Sequence, residues 1–303
     1  MFVATLLSDP AKAGLENATV QSLRNAWGGG AIRWLNPGIA AEFPLETKPS
    51  NLWQVWANLQ EISIDLAVQP AAGRKRRLLL ADMDSTMIEQ ECIDELAAVA
   101  GVGPKVAAIT AQAMDGGLDF EQSLRARVAL LAGQPADIIK SVLASQISYA
   151  AGGSTLIATL RAHGCYTALV SGGFTAFSGP VAHHLGFDEH RANTLLLENG
   201  KLTGQVAEPI LGRAAKIDAL SDICNRLGLN HDDAMTVGDG ANDLGMLGAA
   251  GAGVALHAKP SVARQCTLRI NHGDLTALLY LQGYSADEFQ PPAPEFTHDH
   301  TRP

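Results

Sequence analysis

Two aspartates, Asp82 and Asp84, follow directly after the apolar run Leu78–Ala81 and precede a Ser-Thr pair. A short apolar run predicts a buried parallel strand, and ligands in open α/β sheets bind at the carboxyl ends of the strands. Met83 should point to the opposite side, so both carboxylates can face one site while the N–H groups of the turn face a phosphate. The pattern suits phosphoryl transfer, although Asp-x-Asp pairs also occur in solvated turns.

A second acidic segment lies much further along the chain. The strand candidate 234–238 runs into a Gly-Asp-Gly turn that carries Asp239, and Asn242 and Asp243 follow at a predicted helix start. Carboxylate oxygens with no adjacent His or Cys favour Mg²⁺ over Zn²⁺. The acids therefore predict a magnesium site, and Asn242 and Asp243 could also cap the next helix.

Two further segments offer groups that suit a phosphate. A third strand candidate ends in Ser171, Gly172 and Gly173. The glycines allow close approach of the backbone to a phosphate, and the Ser171 hydroxyl could donate to one of its oxygens. Lys216, at the start of an apolar-periodic helix, could supply the compact positive charge that a phosphate and a carboxylate nucleophile together require.

These four segments, in this order, resemble the haloacid dehalogenase superfamily of aspartate-nucleophile phosphatases. Glu91, the tract 114–128 and the two glycine-containing turns narrow the resemblance to the phosphoserine phosphatase family, over roughly residues 76 to 283. Ser85 fits the narrower family, because many other members of the superfamily have glycine there.

The resemblance implies a mechanism in which Asp82 is the nucleophile and Asp84 the general acid and base. It implies that Mg²⁺ is held by the Asp82 side chain, the backbone carbonyl of Asp84 and Asp239, while Asp243 positions the metal and its waters. Ser171 and Lys216 complete the catalytic set. The implied product is L-serine, formed from O-phosphoserine in the last step of serine biosynthesis.

The resemblance also implies how phosphoserine is recognised, with Glu91 facing its ammonium group and Arg127 its carboxylate. Each of these residues has an ordinary structural explanation, because acids favour helix starts and arginines on helices are usually solvated. The full set of implied substrate-binding residues is Glu91, Met114, Phe120, Arg127, Ser171, Gly172, Gly173 and Asn242.

Strands alternate with helices over most of the chain beyond residue 74, which predicts a doubly wound, mainly parallel α/β sheet. Residues 90–148 have helical periodicity and predict a helical cap over the strand ends. Residues 195–202 predict a hairpin through Asn-Gly. The predicted phosphatase core, including its cap, is residues 74–284.

Two flanking regions are predicted outside that core. Residues 1–73 predict a small α+β accessory domain, with a Pro/Gly/basic linker at 69–77, and the family resemblance implies an ACT-like fold for it. Its aromatic residues make it a candidate homodimer contact. Residues 285–303, rich in proline and histidine, predict a disordered tail.

Composition narrows the function classes. The net charge of −9 argues against a nucleic-acid partner. Four widely spaced cysteines without a Cys-x-x-Cys pair favour a reduced cytoplasm. The first residues lack the basic-then-apolar order of a signal peptide, and no apolar stretch is long enough to span a membrane.

The sequence leaves two other functions open. The same core could hydrolyse another small phosphoester if the cap differs in detail from the family. Alternatively, the protein could be an amino-acid sensor in which the phosphatase core has a regulatory role, although the intact acids and Lys216 argue against an inactive core.

Overall fold

The computed structural model describes residues 1–114 and 118–291. Two sheets dominate this part of the chain, an antiparallel sheet near the N-terminus and a larger parallel sheet that carries the predicted site. Within the described residues, no helix has the length and apolar character needed to cross a bilayer.

The N-terminal sheet has four strands in the order β2-β3-β1-β4, with two helices between them in sequence. This βαββαβ order is that of ferredoxin-like units; the ACT-like assignment itself stays a prediction. The elements are β1 Phe2–Ser8, α1 Asn17–Ala26, β2 Arg33–Asn36, β3 Ala40–Leu45, α2 Leu52–Gln60 and β4 Ile64–Pro70.

The second sheet has six strands in the order β12-β11-β10-β5-β6-β7, and all of its pairings are parallel. The predicted doubly wound parallel architecture is thereby confirmed. The strands are β5 Leu78–Ala81, β6 Tyr166–Phe174, β7 Glu189–Asn193, β10 Ala234–Gly238, β11 Ala252–Leu256 and β12 Leu268–Ile270.

Strands β5 and β10 lie at the centre of this sheet, and every one of their residues is buried. Their nearly continuous apolar sequences are what a strand covered on both faces requires. The helices of the core are α7 Gly153–Ala162, α8 Thr175–Leu185, α9 Arg213–Leu227, α10 Leu244–Ala249, α11 Pro260–Ala263 and α12 Ala277–Leu281, with a 3₁₀ turn at His231–Asp233.

Four helices occupy the segment predicted as the cap. They are α3 Cys92–Val99, α4 Gly103–Met114, α5 Phe120–Ala129 and α6 Asp137–Ser145. Helix α5 begins with a capping box, in which the Asp119 side chain accepts from the Gln122 N–H and the Gln122 side chain accepts from the Asp119 N–H. This reciprocal bonding fixes the start of the helix that carries Phe120 and Arg127.

The hairpin predicted at 195–202 is confirmed as β8 Leu195–Glu198 and β9 Lys201–Val206. Both turn residues have positive φ, 50° at Asn199 and 75° at Gly200, which a type I′ turn requires. Backbone hydrogen bonds join the hairpin to the cap. The Gly133 N–H donates to the Leu202 carbonyl, and the Leu202 N–H donates to the Gln134 carbonyl.

The N-terminal sheet packs on the core through a buried carboxylate. Asp65, fully buried in β4, accepts the backbone N–H groups of Asn271, His272 and Gly273, each at 2.9 Å. Charge-assisted bonds of this kind are shorter and stronger than neutral ones. The N-terminal segment is therefore anchored to the loop that follows β12.

Two segments predicted to be irregular are more ordered than expected. Gln69 and Pro70, assigned to the linker, complete β4, and the Gln69 amide donates to the Leu281 carbonyl at 2.7 Å. The predicted disordered tail begins instead with a 3₁₀ turn at Ala286–Glu288, after which the Gln290 N–H donates to the Thr159 hydroxyl. Contacts with the core order both segments. Residues 292–303 lie outside the described part.

Candidate active site

Asp82 stands immediately beyond the last residue of β5, at the carboxyl edge of the parallel sheet. Its backbone N–H donates to the Val237 carbonyl of β10 at 3.0 Å, and its Oδ1 accepts the Met83 N–H at 2.8 Å. Only 4% of the residue is exposed. The strand pairing therefore fixes this carboxylate in place, with its second oxygen left for other partners.

Asp84 is held by one group from the cap and one from the core. Its Oδ1 accepts the Cys92 N–H at the start of α3 at 2.9 Å, and its Oδ2 accepts the Ser171 hydroxyl at 3.1 Å. Ser171 in turn accepts the Gly173 N–H at 2.8 Å. A Cβ at Gly173 would lie 2.7 Å from Asp84 Oδ2, so only glycine leaves room for this carboxylate.

Lys216 lies on α9 beneath the strand ends and joins two acids. Its Nζ lies 2.6 Å from Asp82 Oδ1 and 2.6 Å from Asp243 Oδ1. Burial alone would lower the pKa of Lys216, but the two carboxylates outweigh burial and raise it. The lysine is therefore a fixed ammonium under the site.

The acids at this edge of the sheet carry more negative charge than the Lys216 ammonium neutralises. Oxygens of Asp82, Asp239 and Asp243 lie within 4.8 Å of one another, and Lys216 is the ammonium that contacts two of them. Burial raises the pKa of Asp82 and brings that of Asp239 to about 6, with Asp243 adding to both. An all-oxygen cluster with surplus negative charge is suited to a divalent cation.

The predicted metal ligands do not all take part through their side chains. The Asp84 carboxylate is outside the cluster of the other three acids, in line with a role for its backbone carbonyl, which stays a prediction. Asp243 is also held by the turn itself, because its Oδ2 accepts the Gly240 N–H at 3.0 Å.

Glu91 and Arg127 face the strand-end acids from the cap. Burial, with the nearby Asp84, raises the pKa of Glu91 to about 7, and the Ser85 hydroxyl donates to its Oε1 at 2.9 Å. Burial lowers the pKa of Arg127, opposed by Asp94, Glu91 and Asp84. Among the described residues, the hydrogen bond of the Arg127 side chain is to the Ser123 carbonyl of its own helix, so most guanidinium donors remain for a ligand.

Phe120 closes the site between cap and core. A Cβ at Gly172 would lie 3.0 Å from its ring and a Cβ at Gly212 would lie 3.2 Å from it. Glycine at both positions allows the ring to sit against the backbone of β6 and of the segment before α9. Met114, another of the implied substrate-binding residues, ends α4, and its side chain lies outside the described part.

A cavity of about 780 Å³ opens between the sheet edge and the cap. Ser171, Lys216 and Asp243 lie below its floor, where they contact Asp84, Asp82 and the Gly240 N–H respectively. Most of the residues predicted from sequence line it, namely Asp82, Asp84, Glu91, Phe120, Arg127, Gly172, Gly173, Asp239 and Asn242.

The cavity is also lined by charged residues that sequence reasoning missed, Asp94, Arg213 and Lys259. Arg213 stands one helical turn before Lys216, a spacing that places both on one helix face. Lys259 follows the carboxyl end of β11. The rule that ligands collect at such strand ends could have identified it.

Fold and site together define a hydrolase with a parallel, helix-flanked sheet and strand-end aspartates. A family model described as haloacid dehalogenase-like hydrolase matches residues 79–248, more than half of the chain. The chain belongs to that family.

Individual proteins are also similar to this chain. A phosphoserine phosphatase of Streptomyces coelicolor is 41% identical over 259 residues, which cover 84% of this chain and 63% of that protein. The chain spans 56% to 65% of the length of this and three other curated phosphoserine phosphatases.

Two solved structures extend the comparison. A HAD family hydrolase, t0658, from Salmonella enterica serovar Typhi superposes with a TM-score of 0.83 at 29% identity, covering 92% of this chain and 97% of that one. A phosphoserine phosphatase solved as a phospho-aspartyl intermediate analogue gives a TM-score of 0.64 at 40% identity, covering 68% of this chain and 98% of that one.

Proposed function

We propose that the protein is a phosphoserine phosphatase, which converts O-phospho-L-serine to L-serine and phosphate as the last step of serine biosynthesis. One observation carries the proposal: Glu91 and Arg127 face the same cavity as Asp82 and Asp84. An acid and an arginine opposite the reacting carboxylates match the ammonium and carboxylate groups that phosphoserine presents beyond its phosphate. The similarity to phosphoserine phosphatases supports the same substrate.

The chemistry follows from the positions of the two aspartates. Asp82 attacks phosphorus in line, a P–O bond forms to its carboxylate and the bond to the seryl oxygen breaks, leaving an aspartyl-phosphate. Asp84 gives a proton to the departing seryl oxygen and later takes one from the water that hydrolyses the intermediate. Lys216 is already in contact with Asp82 and stabilises charge at this point.

Mg²⁺ is the proposed cofactor. Asp82, Asp239 and Asp243, with the backbone carbonyl of Asp84, would hold it, because hard cations prefer oxygen ligands and Mg²⁺ takes few carboxylates. Bound there, it would supply positive charge that offsets the phosphate oxygens and the surplus of acids.

The proposal is tested by measuring phosphate release from L-phosphoserine with and without Mg²⁺, beside phosphothreonine, phosphohomoserine and a sugar phosphate. We expect Mg²⁺-dependent turnover with the highest kcat/KM for L-phosphoserine. A preference for another phosphoester would assign a different substrate to the same core. Turnover only when free amino acid is added would favour the sensor alternative.

Replacing Arg127 with alanine should separate recognition from chemistry. Loss of a charge-assisted contact to a carboxylate typically costs roughly 1.5–3 kcal/mol, so kcat/KM for phosphoserine should fall on the order of 10- to 150-fold. Hydrolysis of p-nitrophenyl phosphate, which lacks the amino-acid end, should change far less.

The matched control for this variant is Arg125→Ala. Arg125 lies two residues away on the same helix, pairs with Glu121 and Glu208, and is about half exposed, with 49% of its side chain accessible. It should lower neither activity substantially. Equal losses on both substrates in Arg127→Ala would mean that Arg127 supports the cap and does not bind the carboxylate.

Location and assembly complete the proposal. All four cysteines are buried and unpaired, which supports a reducing cytoplasm. A homodimer through the N-terminal domain is supported by β2, which in the described part pairs only with β3 and so leaves a sheet edge open. Light scattering of the purified protein tests the dimer.

A further inference from the structure

Two cations on the cavity wall have no part in the chemistry described above. Arg213 and Lys259 both line the cavity. Among residues 1–114 and 118–291, the Arg213 side chain forms no ion pair or hydrogen bond, and Lys259 has only the electrostatic influence that it exerts on Asp239. Side chains that pair with nothing in the protein are free to meet a ligand.

Arg213 is placed by a buried asparagine at the end of β7. The Asn193 amide donates to the carbonyls of Gly172 and Leu211, at 2.9 and 3.1 Å, and its Oδ1 accepts the Leu211 N–H at 2.6 Å. These bonds tie the segment before α9 to the sheet edge. Arg213, the first residue of α9, is therefore held at the cavity.

Lys259 occupies the opposite flank of the same sheet edge. It follows β11, which is two strands from β5 on one side, whereas β7 is two strands from β5 on the other. Neighbouring strands are about 4.8 Å apart, so the ends of β11 and β7 lie roughly 10 Å on either side of the end of β5. Asp82, at the end of β5, lies between these two strand ends.

The residues that line the cavity include more acids than cations, and this excess of negative charge indicates a role for Arg213 and Lys259. The described lining includes the acids Asp82, Asp84, Glu91, Asp94 and Asp239, but only three cations, Arg127, Arg213 and Lys259. A phosphomonoester is mostly a dianion at neutral pH, and the whole chain carries a net charge of −9. Without local cations, the substrate would approach a repulsive field.

We propose that Arg213 and Lys259 form a pair of flanking cations that draws the phosphate dianion into the cavity and sets the apparent affinity for it. The inference rests on the proposed phosphomonoester substrate and assigns these residues to capture of its phosphate. They are binding residues, so their loss raises KM, whereas Asp82, Asp84 and Lys216 carry out the reaction.

The test compares wild type with the double variant Arg213→Gln/Lys259→Gln at several ionic strengths. Electrostatic capture of this kind changes rates by at least about tenfold at low salt. We therefore expect kcat/KM for L-phosphoserine and for p-nitrophenyl phosphate to fall about tenfold at low salt, mainly through KM. At about 0.5 M salt, screening should reduce the difference to less than about threefold.

The matched control is Arg264→Gln/Lys140→Gln, which changes the net charge by the same amount. Lys140 has an 83% exposed side chain, Arg264 is also exposed, and neither lines the cavity. The control should keep the wild-type salt dependence. An equal loss in the control, or a loss in the cavity variant that does not change with salt, would overturn the proposal.

Failure of the proposed phosphatase function can be distinguished from failure of this inference. If wild type hydrolysed neither phosphate ester, the phosphatase assignment would fail, and calorimetric binding of inorganic phosphate in the presence of Mg²⁺ would decide the inference. Weaker phosphate binding in the cavity variant but not in the control supports the inference. Equal binding in all three proteins, or no binding to wild type, overturns it.

Discussion

Asp82→Asn is expected to abolish phosphatase activity while leaving the fold intact. An amide is a poor nucleophile and a poor Mg²⁺ ligand, so both the attacking group and one oxygen of the proposed metal site are lost together. We expect less than about a hundredth of wild-type turnover, consistent with the size of losses seen when a nucleophile is removed.

Stability should not fall with activity in this variant. Asp82 and Asp243 share one ammonium group, that of Lys216, and burial raises the pKa of Asp82 because its charged form is poorly solvated. In Asp82→Asn, the Lys216 ammonium is left with one anionic partner, Asp243. Thermal unfolding should therefore occur at the wild-type temperature or above it.

Beryllofluoride binding and a control variant test whether Asp82 is the residue that is phosphorylated. Beryllofluoride with Mg²⁺ should bind wild type as an acyl-phosphate mimic on Asp82 and should not bind Asp82→Asn. The exposed Asp137→Asn, on cap helix α6, is the control and should behave as wild type. Turnover above a hundredth of wild type in Asp82→Asn, or beryllofluoride on another side chain, would contradict the mechanism.

Lys216→Met is expected to lower both activity and stability. Methionine has a similar length and no charge, so Asp82 and Asp243 would remain buried without their shared cation. Removing one partner of a buried ion pair typically costs about 3–5 kcal/mol, and losing a group that stabilises transition-state charge typically lowers kcat by about 10²–10³-fold.

The loss of stability in Lys216→Met should depend on pH. Burial already raises the pKa of Asp82, and Lys216 opposes that rise, so its removal raises the pKa further. A carboxyl group whose pKa is higher in the folded than in the unfolded state stabilises the fold below its unfolded pKa and loses that effect as pH rises. The deficit in unfolding free energy should therefore shrink as pH falls from 7 toward 5.

Chemical denaturation at several pH values measures this deficit. Added Mg²⁺ should restore part of the stability, because it supplies positive charge to the same acids. Lys140→Met is the control; its lysine is exposed on the cap, so the change should stay within about 0.5 kcal/mol. A deficit that is independent of pH would mean that Lys216 acts through packing and not through its charge.

The two aspartates proposed to react face the cavity, and other buried groups hold them from below. Ser171 and Lys216 lie below the cavity floor and contact Asp84 and Asp82, and Asp243 holds Lys216 from the other side. The cap supplies Glu91, Phe120 and Arg127 to the cavity, and its helix α3 also donates the Cys92 N–H to Asp84.

Much of the fold could be predicted from short segments of the sequence. The apolar strand before Asp82, the Gly-Asp-Gly turn at Asp239 and the Asn199-Gly200 hairpin were all predicted, because burial on both faces and positive φ each demand particular residue types. Strand-end acids then followed from the rule for parallel sheets.

Other features depended on contacts between distant parts of the chain. Nothing near Asp65 in sequence indicates that it accepts three N–H groups from Asn271, His272 and Gly273. Gln69 and Gln290 were predicted to be irregular from local composition, yet each bonds to a partner far along the chain.

The sequence by itself determined which residues could perform phosphoryl transfer and which strands would carry them, since periodicity and turn chemistry are local properties. Only the tertiary structure decided how those residues share charge. The packing of α9 places Lys216 between Asp82 and Asp243. The sheet order sets β7, whose Asn193 holds the segment before Arg213, and β11, which precedes Lys259, on opposite sides of β5. Strand order and burial arise from packing over the whole chain, and they determine the electrostatics of the site.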